Sequence, residues 1–143
     1  PDRILQKPGP LDPDEWKIMQ GHAAIGAEII GRHERGVLAL AHNIALTHHE
    51  KWDGSGYPNG LAGEQIPLEG RICAVADVFD ALTSVRPYKK AWSEEDAVNF
   101  LLQQKGKHFD PSLVDLFIAQ LPAIRAIRQR WAEEEPIVEK AAA

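Results

Sequence analysis

One cysteine, Cys73, leaves this 143-residue chain no internal disulfide and excludes a thiolate metal cluster. It falls in an apolar helical pattern, where a small buried hydrophobe is expected. No run of about 18 apolar residues occurs, and no signal-like segment precedes the first polar stretch, so the chain reads as cytoplasmic. Excess positive charge is missing as well. The 16 Lys and Arg against 21 Asp and Glu give a formal charge of −5, which argues against duplex nucleic acid held through its phosphates. A small phosphate-bearing ligand stays open, since metals and a few local cations can hold one. There is no internal repeat and no convincing alternating strand pattern, so the expected fold is all-α. An initiator methionine is absent too: the chain starts Pro1-Asp2-Arg3, as a piece of something longer would.

What is present is a series of helical patterns with legible punctuation. Residues 1–12 contain Pro8-Gly9-Pro10 and are expected to be extended. Asp12 is a candidate N-cap with Pro13 at the first helical position, opening a helix to about Gly31. Its apolar stripe of Met19, His22, Gly26 and Ile29 would turn His22 inward, and Gly26 points to the close approach of a neighbouring helix. A second helix, about 37–50, ends on His48 and His49. Residues 51–67 hold four glycines and two prolines, a loop long enough to be functional. A helix from Leu68 to about Val85 places Ile72, Val75, Ala76, Phe79 and Leu82 inward, with Asp77 and Asp80 one turn apart on the adjacent face. Ser93 opens a helix to about Gln104, with Gly106 beyond it, and Asp110-Pro111 repeats the Asp12-Pro13 signal. Pro122 kinks or restarts the chain before an acidic and Ala-rich tail.

The chemistry concentrates between Thr47 and Lys90. His22, His48, His49 and Asp77 occupy three helices, and imidazoles with carboxylates form the ligand set of a transition-metal site. Each has a plainer role to set beside this: a single histidine on an apolar face is commonly a hydrogen-bonded core residue. Asp80 could instead accept a hydrogen bond behind the ligands. His33, His42 and His108 lack such company and read as surface or structural. Trp16, Trp52, Trp92 and Trp131 read as core or edge packing. The basic run Arg86-Pro87-Tyr88-Lys89-Lys90 is either a solvated loop or a grip for phosphate oxygens.

The stretches HHEKWDGSGYPNGL and IPLEGRICAVADVFDALTSVRPYK, flanked by PDRILQKPGPLDPDEW and GKHFDPSLVDLF, resemble the HD-GYP family nearly residue for residue. These are bacterial phosphodiesterases of cyclic dinucleotides, chiefly cyclic di-GMP. The resemblance runs from Pro1 to about Leu121. It implies a partial helical bundle of the HD-domain type over residues 1–121, with 122–143 as a terminal helix and frayed tail.

From the same resemblance, His22, His48, His49 and Asp77 would be ligands in a site of two or three divalent metals, often iron or manganese. Asp80, the candidate catalytic residue, matches an acidic residue that pairs with a family lysine. Arg86 and Lys89 match phosphate-holding residues, and Tyr57 lies beside the substrate. The Gly56-Tyr57-Pro58 loop implies diguanylate cyclase domains as partners, and a sensor or receiver domain is implied upstream. The family's His-Asp pair, which would precede Pro1, has no counterpart here, since the chain contains no His-Asp dipeptide. Little turnover is therefore expected from these 143 residues alone. Pairing or element swapping between copies is expected to cover Met19, Ile29, Ile44 and Phe79. The alternative is a module that binds the cyclic dinucleotide, or a protein, without cleaving it.

Overall fold

The computed structural model describes residues 2–84 and 90–134. Seven α-helices occur among them: α1 (Asp2–Leu5), α2 (Pro13–Ile30), α3 (Val37–Thr47), α4 (Leu68–Thr83), α5 (Glu94–Gln103), α6 (Pro111–Ala119) and α7 (Leu121–Glu134). A single turn of 3₁₀ helix (Gly63–Gln65) interrupts the loop before α4, and no strand forms among the described residues. The all-α expectation holds. No described helix is long and apolar enough to cross a membrane.

The caps explain the boundaries. Asp12 accepts from the Asp14 and Glu15 amides while the Glu15 carboxylate accepts from the Asp12 amide, satisfying three N–H groups that the first turn of α2 leaves without partners. Asp110 accepts from Ser112 N–H at the head of α6, and Ser93 Oγ from Asp96 N–H at the head of α5. Gly31 ends α2 with φ 78°, a left-handed turn that a side chain disfavours. Pro122 restarts the helix, as α6 stops at Ala119 and α7 begins at Leu121.

α4 is the hub, packing against α3 and also against α5 and α6. The main core joins Ala74, Val75, Phe79 and Leu82 of α4 to Ala97, Leu101, Phe109, Val114 and Leu121. α2 packs onto α3 instead, through its smallest residues. Ala23 and Ala27 are buried, and a Cβ on Gly26 would lie 3.6 Å from Ala45 Cβ, the close approach that the glycine implied.

Several placements differ from the sequence pattern. Ile29 is 80% exposed and His22 is exposed, because the alanine face rather than the isoleucine stripe of α2 meets α3. On α4, Ile72 and Ala76 face outward while Ala74 takes the inward position. Of the four apolar residues expected at an uncovered surface, Phe79 is buried in the core, and Met19 and Ile44 are half-buried. Residues 2–5 form a helical turn that buries Ile4, where extended chain was expected. Trp16, Trp92 and Trp131 are all exposed, so edge packing rather than core is their role. Trp52 lies half-buried beneath the Arg71 guanidinium.

The α3–α4 crossing depends on Gly70. A Cβ there would sit 2.2 Å from Thr47 Oγ1, and that hydroxyl is held at 2.6 Å by Asn43 O. Gly70→Ala is expected to destabilise the fold by about 1–3 kcal/mol, the usual cost of overpacking. Urea denaturation measures it, and a neutral effect would mean that Thr47 swings aside freely.

Candidate metal centre

Three of the sequence-predicted residues come together. His22 stands mid-way along α2; His48 is the C-cap of α3, and His49 follows it. The helix expected over 37–50 stops at Thr47, where the Glu50 amide turns back onto Thr47 O. That early stop leaves both imidazoles at the helix end. One ligand atom from each of the three histidines lies within 4.8 Å of the others.

The backbone sets two of these rings. His22 Nδ1 lies 2.6 Å from Met19 O, and His48 Nδ1 lies 3.0 Å from both Ile44 O and Ala45 O. A carbonyl oxygen can only accept, so Nδ1 carries a proton in each, and Nε2 is the atom left free to offer a lone pair to a metal. Those two Nε2 atoms face one another at 3.4 Å, and His49 Nε2 is 3.1 Å from His22 Nε2. Lone pairs so placed repel unless a proton or cation lies among them. Two of the three spacings come near the about 3.4 Å between ligands of a tetrahedral ion with bonds of roughly 2.0–2.1 Å, and all three nitrogens lie within 4.8 Å of one another. The donor set therefore fits a divalent transition metal. His49 is held well below the ordinary histidine value, to about 4, first by burial and then by the neighbouring His48 and His22, with Asp77 opposing. It is neutral near pH 7, as a ligand must be.

Asp77 is exposed on α4 and lies outside this group of three, though its charge reaches His49 and raises the Cys73 thiol, which burial raises more. Asp80, one turn on, is exposed and accepts from Ser84 Oγ at 3.2 Å. Arg86 and Lys89 lie outside the described residues. Tyr57 is at the centre: its ring is 4.8 Å from His49, 6.4 Å from His22 and 6.0 Å from Trp16. Burial raises its phenol, so it remains a hydrogen-bond donor. His42 donates Nδ1–H to Ala27 O and His33 bonds Ile30 O, in keeping with structural or surface roles.

One residue escaped the sequence pattern. Glu50 is 1% exposed and receives the amides of Asn59 at 2.7 Å and Leu61 at 3.0 Å. A carboxylate that serves loop amides leaves no periodicity to detect; adjacency to His48-His49 was the only signal.

The fold and site together define an all-α domain with an imidazole cluster suited to a divalent metal where two helices meet. The chain belongs to the HD domain family, in its HD-GYP branch: the family model described as HD domain matches residues 1–113. It is 54% identical to a 3'3'-cGAMP-specific phosphodiesterase 2 of Vibrio cholerae over 90% of this chain and 24% of the relative. It is 51% identical to the cyclic di-GMP phosphodiesterase response regulator RpfG of Xanthomonas campestris, over 87% of this chain and 34% of the relative. A crystal structure of a cyclic GMP-AMP specific phosphodiesterase of V. cholerae (V-cGAP3) superposes with TM-score 0.63 at 28% identity, over 80% of this chain and 26% of that one. The chain thus spans only a quarter to a third of these relatives.

Proposed function

We propose that this chain forms part of a metal-dependent phosphodiesterase that hydrolyses cyclic di-GMP to the linear dinucleotide or to GMP. The observation that carries this is the convergence of the His22, His48 and His49 nitrogens. Bound there, iron or manganese would supply Lewis acidity toward a phosphodiester oxygen. The chain's own groups would do the rest. His22 and His48 arrive with their tautomers fixed by main-chain carbonyls. Tyr57 closes one side of the cluster with its ring and offers a protonated hydroxyl to a ligand. Asp77 of α4 would be a further metal ligand in this reading, and Asp80, one turn on, the catalytic carboxylate behind it. Arg86 and Lys89 complete the proposal as phosphate-holding groups.

Residues 1–121 are the functional unit in this proposal, with the Gly56-Tyr57-Pro58 loop, exposed at Pro58, as the surface for a diguanylate cyclase domain. Leu5, Ile18, Ile25 and Ile29 are all exposed along α1 and α2, which supports coverage of that face by a second copy. The group within 4.8 Å contains imidazoles and no carboxylate, so the 143 residues alone are expected to turn over slowly beside the full-length protein.

The test is hydrolysis by the full-length protein with Mn(II) or Fe(II), offered cyclic di-GMP and 3'3'-cGAMP separately, since relatives carry both names. Linear product that disappears with chelator is the expected result. Binding of the cyclic dinucleotide without cleavage under either metal would overturn hydrolysis in favour of a binding module.

A further inference from the structure

Two of the three imidazoles in the cluster are aimed by their own helices; the third is not. His49 lies past the end of α3, and among the described residues its ring has one hydrogen-bonding contact, with His22 Nε2. Among the described residues no carbonyl or carboxylate sets its ring, as Met19 O sets His22 and Ile44 O sets His48. What lies against it is three rings: His48 at 4.0 Å and His22 at 4.9 Å within the cluster, and Tyr57 from outside it. Tyr57 meets His49 at 4.8 Å between centroids, with 30° between planes, and Trp16 of α2 meets Tyr57 edge-on at 6.0 Å. Beyond the two other histidines of the cluster, the ring that sets the orientation of His49 is Tyr57, and so that orientation depends on where Tyr57 is held.

Tyr57 is held by its loop, and the loop by Glu50. Both carboxylate oxygens of this buried residue are used, one on Asn59 N–H and one on Leu61 N–H. Bonds from backbone amides to a carboxylate are short and strong, and a buried carboxylate that lost them would be costly. Seated in this way, the loop comes down onto the chain that carries the histidines. Tyr57 N–H bonds His49 O at 3.2 Å, and a Cβ on Gly56 would fall 2.4 Å from Lys51 N and 2.6 Å from His49 O. There is no slack between loop and helix end.

We infer that Glu50 is a positioning residue for the metal centre: by clamping residues 56–61 it presses the Tyr57 ring onto His49 and so fixes the direction of the third nitrogen. This rests on the proposed metal-dependent function and deepens it. Outer partners that orient a ligand imidazole are typically worth about 10–100-fold in metal affinity. Glu50 would exert that effect through a loop and an aromatic ring.

The experiment uses the full-length protein with Mn(II) or Co(II) alone, read by calorimetric titration and by the visible spectrum of Co(II), which reports ligand geometry. Glu50→Gln keeps the size of the side chain but turns an NH₂ group toward one of the two amides. It is expected to weaken metal binding about 10-fold or more and to alter the Co(II) spectrum. Tyr57→Leu should do the same without disturbing the carboxylate, which keeps the idea testable if Glu50→Gln fails to fold. Tyr57→Phe, which retains the ring, should retain wild-type affinity. The double variant Glu50→Gln with Tyr57→Leu should lose little more than either single one, because both act through one contact. Lowered thermal stability with unchanged metal affinity and spectrum would overturn the inference, leaving Glu50 as a structural clamp only. Wild-type affinity in Tyr57→Leu would overturn it equally. A wild-type protein that takes up neither ion would bring down the proposed metal centre along with it.

Discussion

His48→Ala is expected to lose transition-metal binding while keeping its helices. His48 supplies one of the two Nε2 lone pairs whose tautomer is fixed by the main chain, and it faces His22 Nε2 at 3.4 Å. Removing a direct donor should cost more than the roughly 10–100-fold that loss of an outer partner brings. Stability should change far less. The residue is half-buried at a helix cap, outside the main core, so about 1 kcal/mol is the expected scale. Calorimetric titration with Mn(II) checks the first part and circular dichroism the second. His33→Ala is the control, since His33 is exposed and among the described residues its ring bonds only Ile30 O. Equal affinity in the His48 variant and the wild type would mean that the cluster is not the metal centre.

Arg71→Met should be the most damaging single change to the fold. The guanidinium donates from Nη1 to Asp110 Oδ2 at 2.7 Å and from Nε to Ile66 O at 2.9 Å, and it covers the Trp52 ring. Asp110 is 5% exposed and its other oxygen caps α6 through Ser112 N–H. One cation thus ties the end of the long loop, α4 and the head of α6. Its loss would leave a buried carboxylate without its partner, at about 3–5 kcal/mol. That is a large part of the 5–15 kcal/mol of roughly typical domain stability. Urea denaturation should show it as a lower midpoint at unchanged slope. Adding Asp110→Asn should recover part of the loss, because the stranded charge disappears while a capping oxygen remains.

Local rules read much of this chain correctly because they depend on neighbouring residues. Asp12-Pro13, Ser93 and Asp110-Pro111 each mark a helix start that the fold uses. The glycine-rich stretch is indeed a loop, and His22, His48 and His49 do converge. The face of α2 was not legible in the same way. Isoleucines at 18, 25, 29 and 30 broaden the apolar stripe until periodicity no longer picks a direction, and Ala23 and Ala27 win because small residues allow the closest helix approach. α1 escaped notice because four residues carry too little pattern beside Pro8-Gly9-Pro10. Glu50 was invisible for a different reason: its partners are main-chain amides nine and eleven residues away, and an amide has no letter in a sequence.

The seat of the Gly56–Leu61 segment has a consequence for how far this protein can vary. Tyr57 N–H meets His49 O, Gly56 lies against main-chain atoms of residues 49–51, and Glu50 holds two further amides. Apart from Glu50, these contacts are made by main-chain atoms, which every amino acid but proline supplies in full. Pro58, Asn59 and Gly60 meanwhile turn outward. Mutational tolerance should therefore divide sharply within a few residues, near zero at Gly56 and Glu50, broad at the Asn59 side chain, and narrow again at Gly60, whose φ of 65° disfavours a side chain. Such a surface keeps its shape while its lettering drifts, so related chains could change what they meet there without rebuilding the histidine cluster beneath.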